Sequence, residues 1–196
     1  MEVIRLPGIH HDTSISIVAG SKRSILIDSG TSWYQVNVEE RIKTKINDLP
    51  NLEAILLTHR HYDTAGGAKF LSKKFNVPIL IHSSASNSLL SNDQLTTWAS
   101  RYDSDMPETE TVSLEDGWEM DLGGGSIKSI HTPGHTSCHS SFLIPQLSIL
   151  FTGDLILPLR NVSRLPKYNS IAPSHRLQNS ALSSFPFSEK CQPEAG

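Results

Sequence analysis

Three separated segments of this 196-residue chain place histidine and aspartate side chains directly after short apolar runs. The first reads Thr-His-Arg-His-Tyr-Asp-Thr from Thr58, the second reads His-Thr-Pro-Gly-His from His131, and the third reads Phe-Thr-Gly-Asp and ends at Asp154. Short, continuous apolar runs are typical of buried strands, and the residues that follow them lie at the edge of a sheet. The chain must therefore adopt a fold that brings several strand ends to one edge.

The rest of the pattern predicts a layered α/β arrangement. β-prone runs bounded by turn residues predict strands at 3–6, 14–19, 24–28, 54–57, 77–82, 111–114, 118–122, 126–131, 140–144 and 148–152. Apolar spacing predicts helices at 36–46 and 65–75, and further helices are expected at 83–90 and 93–102. This order indicates packed α/β layers rather than a Rossmann sheet. The pattern decays after Leu157, which predicts one domain over residues 1–157 and a Pro/Ser-rich C-terminal extension over 158–196, partly disordered or truncated.

Charge and cysteine content narrow the partners and the compartment. The net charge is −3, and residues 1–157 hold 12 Lys and Arg against 18 Asp and Glu, so nucleic acid and membrane surfaces are not expected partners. A small-molecule substrate is expected instead. The two cysteines, Cys138 and Cys191, do not form a disulfide framework, and no apolar run reaches the length of a membrane span. We therefore expect a cytoplasmic protein.

The spacing of the first segment suits metal binding. His59 and His61 are two residues apart after an apolar run, so an extended backbone points both rings to the same side. Asp63 continues the alternation and is expected to add a carboxylate to that face. Two imidazoles on one side can chelate a divalent cation.

The later segments can supply further ligands. Pro133 and Gly134 form a rigid turn that can aim the ring of His135, whereas His131 ends a strand and is expected to hold the loop by hydrogen bonds. Asp154 follows a strand, where a buried carboxylate is costly unless it is paired or bound to a metal. Three imidazoles and a water form a zinc site with an open position, and the metal lowers the pKa of that water to about 7. Asp63 or Asp154 could then accept a proton or hold a second cation.

Taken in order, these blocks closely resemble the metallo-β-lactamase superfamily, in particular its hydroxyacylglutathione hydrolase-like (glyoxalase II-like) branch. The resemblance covers residues 2–157 and includes the run Ile-Leu-Ile-Asp-Ser-Gly from Ile25 to Gly30. It implies a four-layer αββα sandwich with metal ions at the sheet edge and a C-terminal part that is short or incomplete. It also implies that His59, His61 and His135 bind a first metal, that Asp63 serves a second, and that Asp154 bridges the two. Asp28 resembles the carboxylate that orients the ligands in this family.

Two departures from the family pattern favour one metal ion per chain. The family usually has histidine directly after the aspartate, where this chain has Thr64, and a hydroxyl is a poor zinc ligand. The late Pro-Gly-His turn of the family is also missing, and His175, the only histidine after Asp154, is a weak substitute. We expect one Zn²⁺ in the first position, with Fe²⁺ as an alternative, and Asp63 freed for proton transfer as the catalytic group.

Three functions are consistent with this pattern. The first is a metal-dependent hydrolase that attacks a thioester, ester or lactone carbonyl through metal-bound hydroxide. The second is an oxidoreductase that resembles persulfide dioxygenases and holds one iron through His59, His135 and Asp154, since two histidines and a carboxylate suit mononuclear iron. The third is a non-catalytic or defective relative that binds a metal for structure only. Trp98 is interpreted as a packing residue and His139 as a residue that does not bind the metal.

Overall fold

The computed structural model describes residues 1–156, and these residues form two β-sheets. The first sheet has six strands in sequential order, namely β1 (Glu2–Leu6), β2 (Ile15–Ala19), β3 (Ser24–Ile27), β4 (Leu52–Leu56), β5 (Ile79–His82) and β6 (Val112–Leu114). The second has four antiparallel strands, β7 (Glu119–Asp121), β8 (Ser126–His131), β9 (Ser140–Ile144) and β10 (Ile149–Phe151). In the first sheet β1, β2 and β3 are antiparallel, and β3 to β6 are parallel.

Strand periodicity divides the apolar side chains between two cores. In β4, Ile55 faces the core that contains the helices, whereas Ala54 and Leu56 face the core between the sheets. Ile79 and Ile81 of β5 likewise face the helices, and Leu80 faces the second sheet. Successive side chains of a strand point to opposite faces, so a strand buried on both faces must be apolar throughout. This explains the continuous apolar runs of the sequence.

The helices cover the outer face of the first sheet. They are α1 (Gln35–Ile46), α2 (Tyr62–Ala65), α3 (Ala68–Phe75) and α4 (Ser86–Leu90). Val38 and Ile42 of α1 are buried against the sheet, as their helical spacing predicts. The four α-helices contribute buried residues only to this core, so residues 1–156 form three layers (α, β, β) of the expected αββα sandwich. Short 3₁₀ helices lie at Ser32–Tyr34, Ser83–Ala85, Ala99–Tyr102, Pro145–Leu147 and Gly153–Leu155.

Two predicted helices are wrong in extent. The helix expected over 65–75 begins only at Ala68, because the chain first forms the separate turn α2. The helix expected over 93–102 shrinks to the 3₁₀ turn at its end. The Asp93 carboxylate accepts hydrogen bonds from the backbone N–H groups of Leu95 and Thr96, as an N-cap does, but a helix cannot continue through Trp98, whose φ is +61°.

The strand ends meet at one edge of the molecule, as the sequence predicts. β3 and β4 are parallel, so Asp28 and Thr58 emerge side by side. The Ser140 amide at the start of β9 donates to the Thr58 carbonyl at 2.8 Å and ties the two sheets together there. Within residues 1–156, no helix has the length and apolar character needed to cross a membrane. The domain boundary at residue 157, the extension over 158–196 and His175 lie outside the described residues, and the cytoplasmic location stays a prediction.

Candidate metal centre

Three imidazoles from two loops converge at this edge. His59 follows β4, His61 directly precedes α2, and His135 lies in the turn between β8 and β9. Their ring centroids are 4.6 to 4.8 Å apart, and one nitrogen from each ring lies within 4.8 Å of the others. Nε2 of His135 and Nδ1 of His61 are 2.9 Å apart. The three rings that the sequence predicts as ligands are therefore brought together.

A hydrogen-bond chain orients His59. The Thr58 hydroxyl donates to the Asp28 carboxylate at 3.0 Å, and the Thr58 backbone N–H donates to the same carboxylate at 2.8 Å. Because the hydroxyl has only one proton, it accepts from Nδ1 of His59, 3.0 Å away. Nε2 of His59 is then left with its lone pair, and it is buried without a hydrogen-bond partner among the described residues. A buried nitrogen of this kind is what a metal ligand requires.

The three imidazoles are neutral near pH 7. Burial and the neighbouring imidazoles hold the pKa of His59 well below its usual range, and the same causes lower that of His61 to about 3. Burial also lowers the pKa of His135, although the Asp154 carboxylate acts in the opposite direction. Imidazole binds metals only in its neutral form. The cluster thus fits a divalent cation.

Asp154 supplies a carboxylate to the cluster. Its Oδ2 lies 3.6 Å from Nε2 of His135 and 3.9 Å from Nε2 of His59. The preceding residue, Gly153, has φ +47°, and a Cβ there would lie 2.7 Å from Nε2 of His139 and 2.9 Å from the Thr58 side chain. Glycine is therefore required for the turn that delivers Asp154.

Asp63 reaches the site by a different route from the one expected. The extended alternation ends at His61, and Asp63 lies in the first turn of α2 because the Tyr62 amide donates to the Thr97 carbonyl and the helix starts there. Its carboxylate nevertheless faces the cavity beside the histidines. Burial and the Asp154 charge raise the pKa of Asp63 to about 6, against the opposing effect of the Tyr102 hydroxyl.

His131 and Thr64 lie outside the cluster. Nε2 of His131 donates to the Ser137 carbonyl at 2.9 Å and so closes the loop that carries His135, while its ring stacks on His82 at 3.8 Å. Thr64 is fully buried, its hydroxyl has no partner among the described residues, and it does not line the cavity.

The site also contains residues that the sequence interpretation missed. A cavity of about 270 Å³ is lined by His61, Asp63, Trp98, Arg101, Tyr102, His135 and Asp154. Trp98, expected to be a packing residue, stacks on His61 with centroids 4.3 Å apart and rings 13° from parallel. His139 is buried and stacks on His59 at 5.4 Å, and its Nδ1 bonds the Thr132 hydroxyl at 2.9 Å. The spacing of Trp98 and Arg101, three residues apart, was the available signal for a shared face.

The chain matches the family model of the metallo-beta-lactamase superfamily over residues 10–185. It belongs to the metallo-β-lactamase superfamily. The resemblance read from the sequence is thereby confirmed at the level of the superfamily, and the match extends beyond residue 157, where that resemblance ended. The glyoxalase II-like branch stays a prediction.

Individual superfamily members agree with this assignment. A protein of Methanocaldococcus jannaschii named "Probable metallo-hydrolase" is 30% identical over 156 residues, which are 79% of this chain and 72% of that protein. An atrochrysone carboxyl ACP thioesterase of Claviceps purpurea is 27% identical over 76% of this chain and 41% of its own length. A metallo-β-lactamase structure from Cronobacter sakazakii superposes with a TM-score of 0.62 at 20% identity, covering 74% of this chain and 57% of that one. The chain thus spans less than half of the fungal relative, and the structural match confirms the predicted fold.

Proposed function

We propose that this chain is a metal-dependent hydrolase that cleaves a thioester or a related ester or lactone. The observation that carries the proposal is the convergence of three neutral imidazoles on one point, with the unpartnered Nε2 of His59 directed into it. Two carboxylates, Asp63 and Asp154, border the same small cavity. This combination provides both a metal site and a proton acceptor next to space for a substrate.

His59, His61 and His135 would hold the cation, and Asp154 would complete its ligands. When bound there, a divalent cation lowers the pKa of a water molecule to about 7 and polarises a carbonyl group. The chain of hydrogen bonds through Asp28 and Thr58 keeps His59 in the tautomer that leaves Nε2 available. We favour one zinc ion per chain, because position 64 offers only a buried hydroxyl that does not line the cavity.

Asp63 is the proton-transfer group of the proposed reaction. With a pKa near 6, its carboxylate is mostly ionised at pH 7 and can still bind a proton readily. It therefore accepts a proton from the attacking water and can return it to the departing thiolate or alkoxide. The neighbouring Tyr102 hydroxyl, whose pKa is raised by burial and by the Asp63 charge, stays protonated and can donate a hydrogen bond to this carboxylate.

The substrate class is proposed from the size of the site and from the relatives. A cavity of about 270 Å³ accommodates a small acyl group rather than a folded partner. The thioesterase of Claviceps purpurea supports a thioester as the first substrate to test. Because the chain spans only part of that relative, the acyl group and its carrier are part of the proposal.

An iron-dependent oxidoreductase is the second candidate. Oδ2 of Asp154 lies within 4 Å of Nε2 of both His59 and His135, so these three side chains could form the two-histidine, one-carboxylate set that suits mononuclear iron. Oxygen uptake on a persulfide would accompany iron in that case.

Elemental mass spectrometry on protein purified without added metal separates these functions. We expect about one zinc per chain and hydrolysis of simple thioesters. His59→Ala should lose both metal and activity, whereas His11→Ala, which removes an exposed histidine, should keep both. Iron with oxygen uptake on a persulfide would favour the second function. Absence of turnover of any thioester, ester or lactone by metal-replete protein would reject the first.

A further inference from the structure

We propose that Arg101 binds a negatively charged group of the substrate, so that the preferred substrate has a carboxylate or phosphate close to the cleaved bond. This inference rests on the proposed hydrolase function and concerns its specificity. Among the described residues that line the cavity, Arg101 is the only one with a permanent positive charge. The other ionisable groups there are two aspartates, two neutral imidazoles and a tyrosine.

Arg101 is held against an aromatic wall. Its guanidinium carbon lies 4.6 Å from the ring centroid of Trp98, and the same indole stacks on His61 at 4.3 Å. Stacking fixes the plane of a guanidinium while leaving the N–H groups at its edge available. The cation thus lies on the same indole that stacks on His61.

The guanidinium of Arg101 has neither a hydrogen bond nor an ion pair within residues 1–156. Arg60 provides a contrast, because its Nε donates to the Thr96 carbonyl at 3.2 Å and its Nη1 donates to the Ser137 hydroxyl at 3.1 Å. Arg60 therefore has a structural task, whereas the donors of Arg101 remain available for a ligand.

Arg101 lies in a short 3₁₀ turn that has a left-handed residue on each side. Trp98 has φ +61° and Asp103 has φ +49°, so left-handed residues bracket the 3₁₀ turn Ala99–Tyr102. A bulky residue in this region is strained and persists only where its surroundings hold it in place. Trp98 is nevertheless 41% exposed, so its position is explained less by burial than by its contacts with His61 and Arg101.

The charge pattern defines the substrate. Asp63 and Asp154 border the cavity and would repel an anion unless a bound cation offsets them, while Arg101, packed on Trp98, attracts one. A planar guanidinium matches a carboxylate or phosphate with two parallel hydrogen bonds. Because Arg101 lines the same cavity as His61 and His135, the anion would lie within a few bonds of the carbonyl, on the acyl or the thiol side.

A pair of matched thioesters tests this inference. S-acetyl-3-mercaptopropionate carries a carboxylate, and S-acetyl-3-mercaptopropionamide replaces it with a neutral amide of the same shape. With zinc-loaded protein, Arg101→Gln should raise KM for the carboxylate about 10- to 100-fold with little change in kcat, and should leave the amide unaffected. Arg101→Lys should restore part of the loss. Lys73→Gln, which removes an exposed charge that does not line the cavity, should change neither substrate.

Calorimetry provides a readout that does not depend on turnover. Succinate and inorganic phosphate are titrated into zinc-loaded protein at constant ionic strength, and Arg101→Gln should weaken binding of at least one of them about tenfold. The anion affected identifies the source as a carboxylate or a phosphate. Equal effects of Arg101→Gln on both thioesters, or unchanged binding of both anions, would overturn the inference. If neither thioester is cleaved but anion binding still depends on Arg101, the hydrolase function fails and the anion site stands.

Discussion

The carboxylate of Asp28 and the ring of His59 are joined by a single hydroxyl group, that of Thr58. The hydroxyl donates to the carboxylate and accepts from Nδ1 of His59, so the hydroxyl proton of Thr58 decides which nitrogen of His59 carries the ring proton. The backbone carbonyl of Thr58 also accepts a hydrogen bond from the Ser140 amide, at the junction of the two sheets. Ligand orientation is thus coupled to the packing of the sheets.

Removing this hydroxyl should weaken metal binding. Thr58→Val keeps the shape of the side chain and the backbone hydrogen bond to Asp28 but removes the hydroxyl that bonds both the Asp28 carboxylate and His59. We expect zinc affinity, measured by competition with a chromophoric chelator, to fall about 10- to 100-fold. Thr58→Ser keeps the hydroxyl and should bind zinc like the original chain. Equal affinities of the valine and serine variants would show that the link has no effect on the ligand.

Gly153→Ala should damage both the fold and the site. The new Cβ would lie 2.7 Å from Nε2 of His139, and alanine would also be strained at φ +47°. Gly124 provides the matched control, because its φ is +78° but nothing lies within 4 Å of its added Cβ. We expect Gly124→Ala to reduce the free energy of unfolding by about 1–2 kcal/mol through backbone strain alone.

The clash should add to that cost at position 153. Gly153→Ala is expected to reduce the free energy of unfolding by about 1–3 kcal/mol more than the control, as overpacking does elsewhere. Because Asp154 follows directly, zinc affinity should also fall in this variant and remain unchanged in Gly124→Ala. Urea denaturation and chelator competition provide the two measurements. A similar loss of unfolding free energy in both variants would mean that the side chains of His139 and Thr58 move away from the added methyl group without an energetic cost.

The sequence predicted the frame and the three imidazoles because both depend on local patterns. Continuous apolar runs predict strands buried on two faces, and residues that follow such strands meet at one edge. His59, His61 and His135 occupy such positions or an adjoining rigid turn, so their convergence follows from the topology. The position of Asp154 could be predicted in the same way, because it follows a strand and a glycine.

The aromatic and cationic wall of the cavity could not be predicted in the same way. Residues 93–98 form turns rather than the expected helix, because Trp98 has φ +61°, and the placement of Trp98 on His61 depends on a contact between residues 37 positions apart in sequence. The stacking of His139 on His59 spans 80 positions. Neither contact has a periodic signal, because each is set by tertiary packing rather than by a regular element.

The stability of the metal-free protein should fall when the pH is lowered from 6.5 to 5. Burial lowers the pKa of His61 to about 3 and that of His139 to about 4, and it also lowers the pKa of His59 and His135. The unfolded chain binds protons at these four imidazoles below pH 6.5, and the folded protein binds them less readily. Acidification in this window therefore favours unfolding.

Two carboxylates oppose this effect but do not cancel it. Burial raises the pKa of Asp28 to about 7 and that of Asp63 to about 6, so the folded protein holds two protons that the unfolded chain releases above pH 4. His82, with a lowered pKa, and Asp12, with a raised one, act in opposite directions. At pH 5 the unfolded chain thus binds up to about two more protons than the folded protein.

Thermal denaturation in chelator-treated buffer measures this dependence. We expect a lower midpoint at pH 5 than at pH 6.5, and a steeper decline in Asp28→Asn, which removes one of the opposing protons. Asparagine tolerates the backbone of position 28, where φ is +65°. A midpoint that rises on acidification would mean that the folded protein, not the unfolded chain, binds more protons at pH 5.

Trp98 should report directly on metal binding. Its indole stacks on His61 at 4.3 Å, whereas Trp118 packs in the core between the two sheets. Cu²⁺ binds nitrogen ligands more tightly than Zn²⁺ and quenches nearby indole fluorescence, while Zn²⁺ does not quench. Titration of the metal-free protein with Cu²⁺ should therefore quench part of the tryptophan emission with a stoichiometry of about one per chain, and excess Zn²⁺ should slow the quenching.

Trp98→Phe should lose most of this signal but still bind the metal, and Trp118→Phe should keep the signal. Quenching that survives in Trp98→Phe and disappears in Trp118→Phe would place the bound ion away from His61.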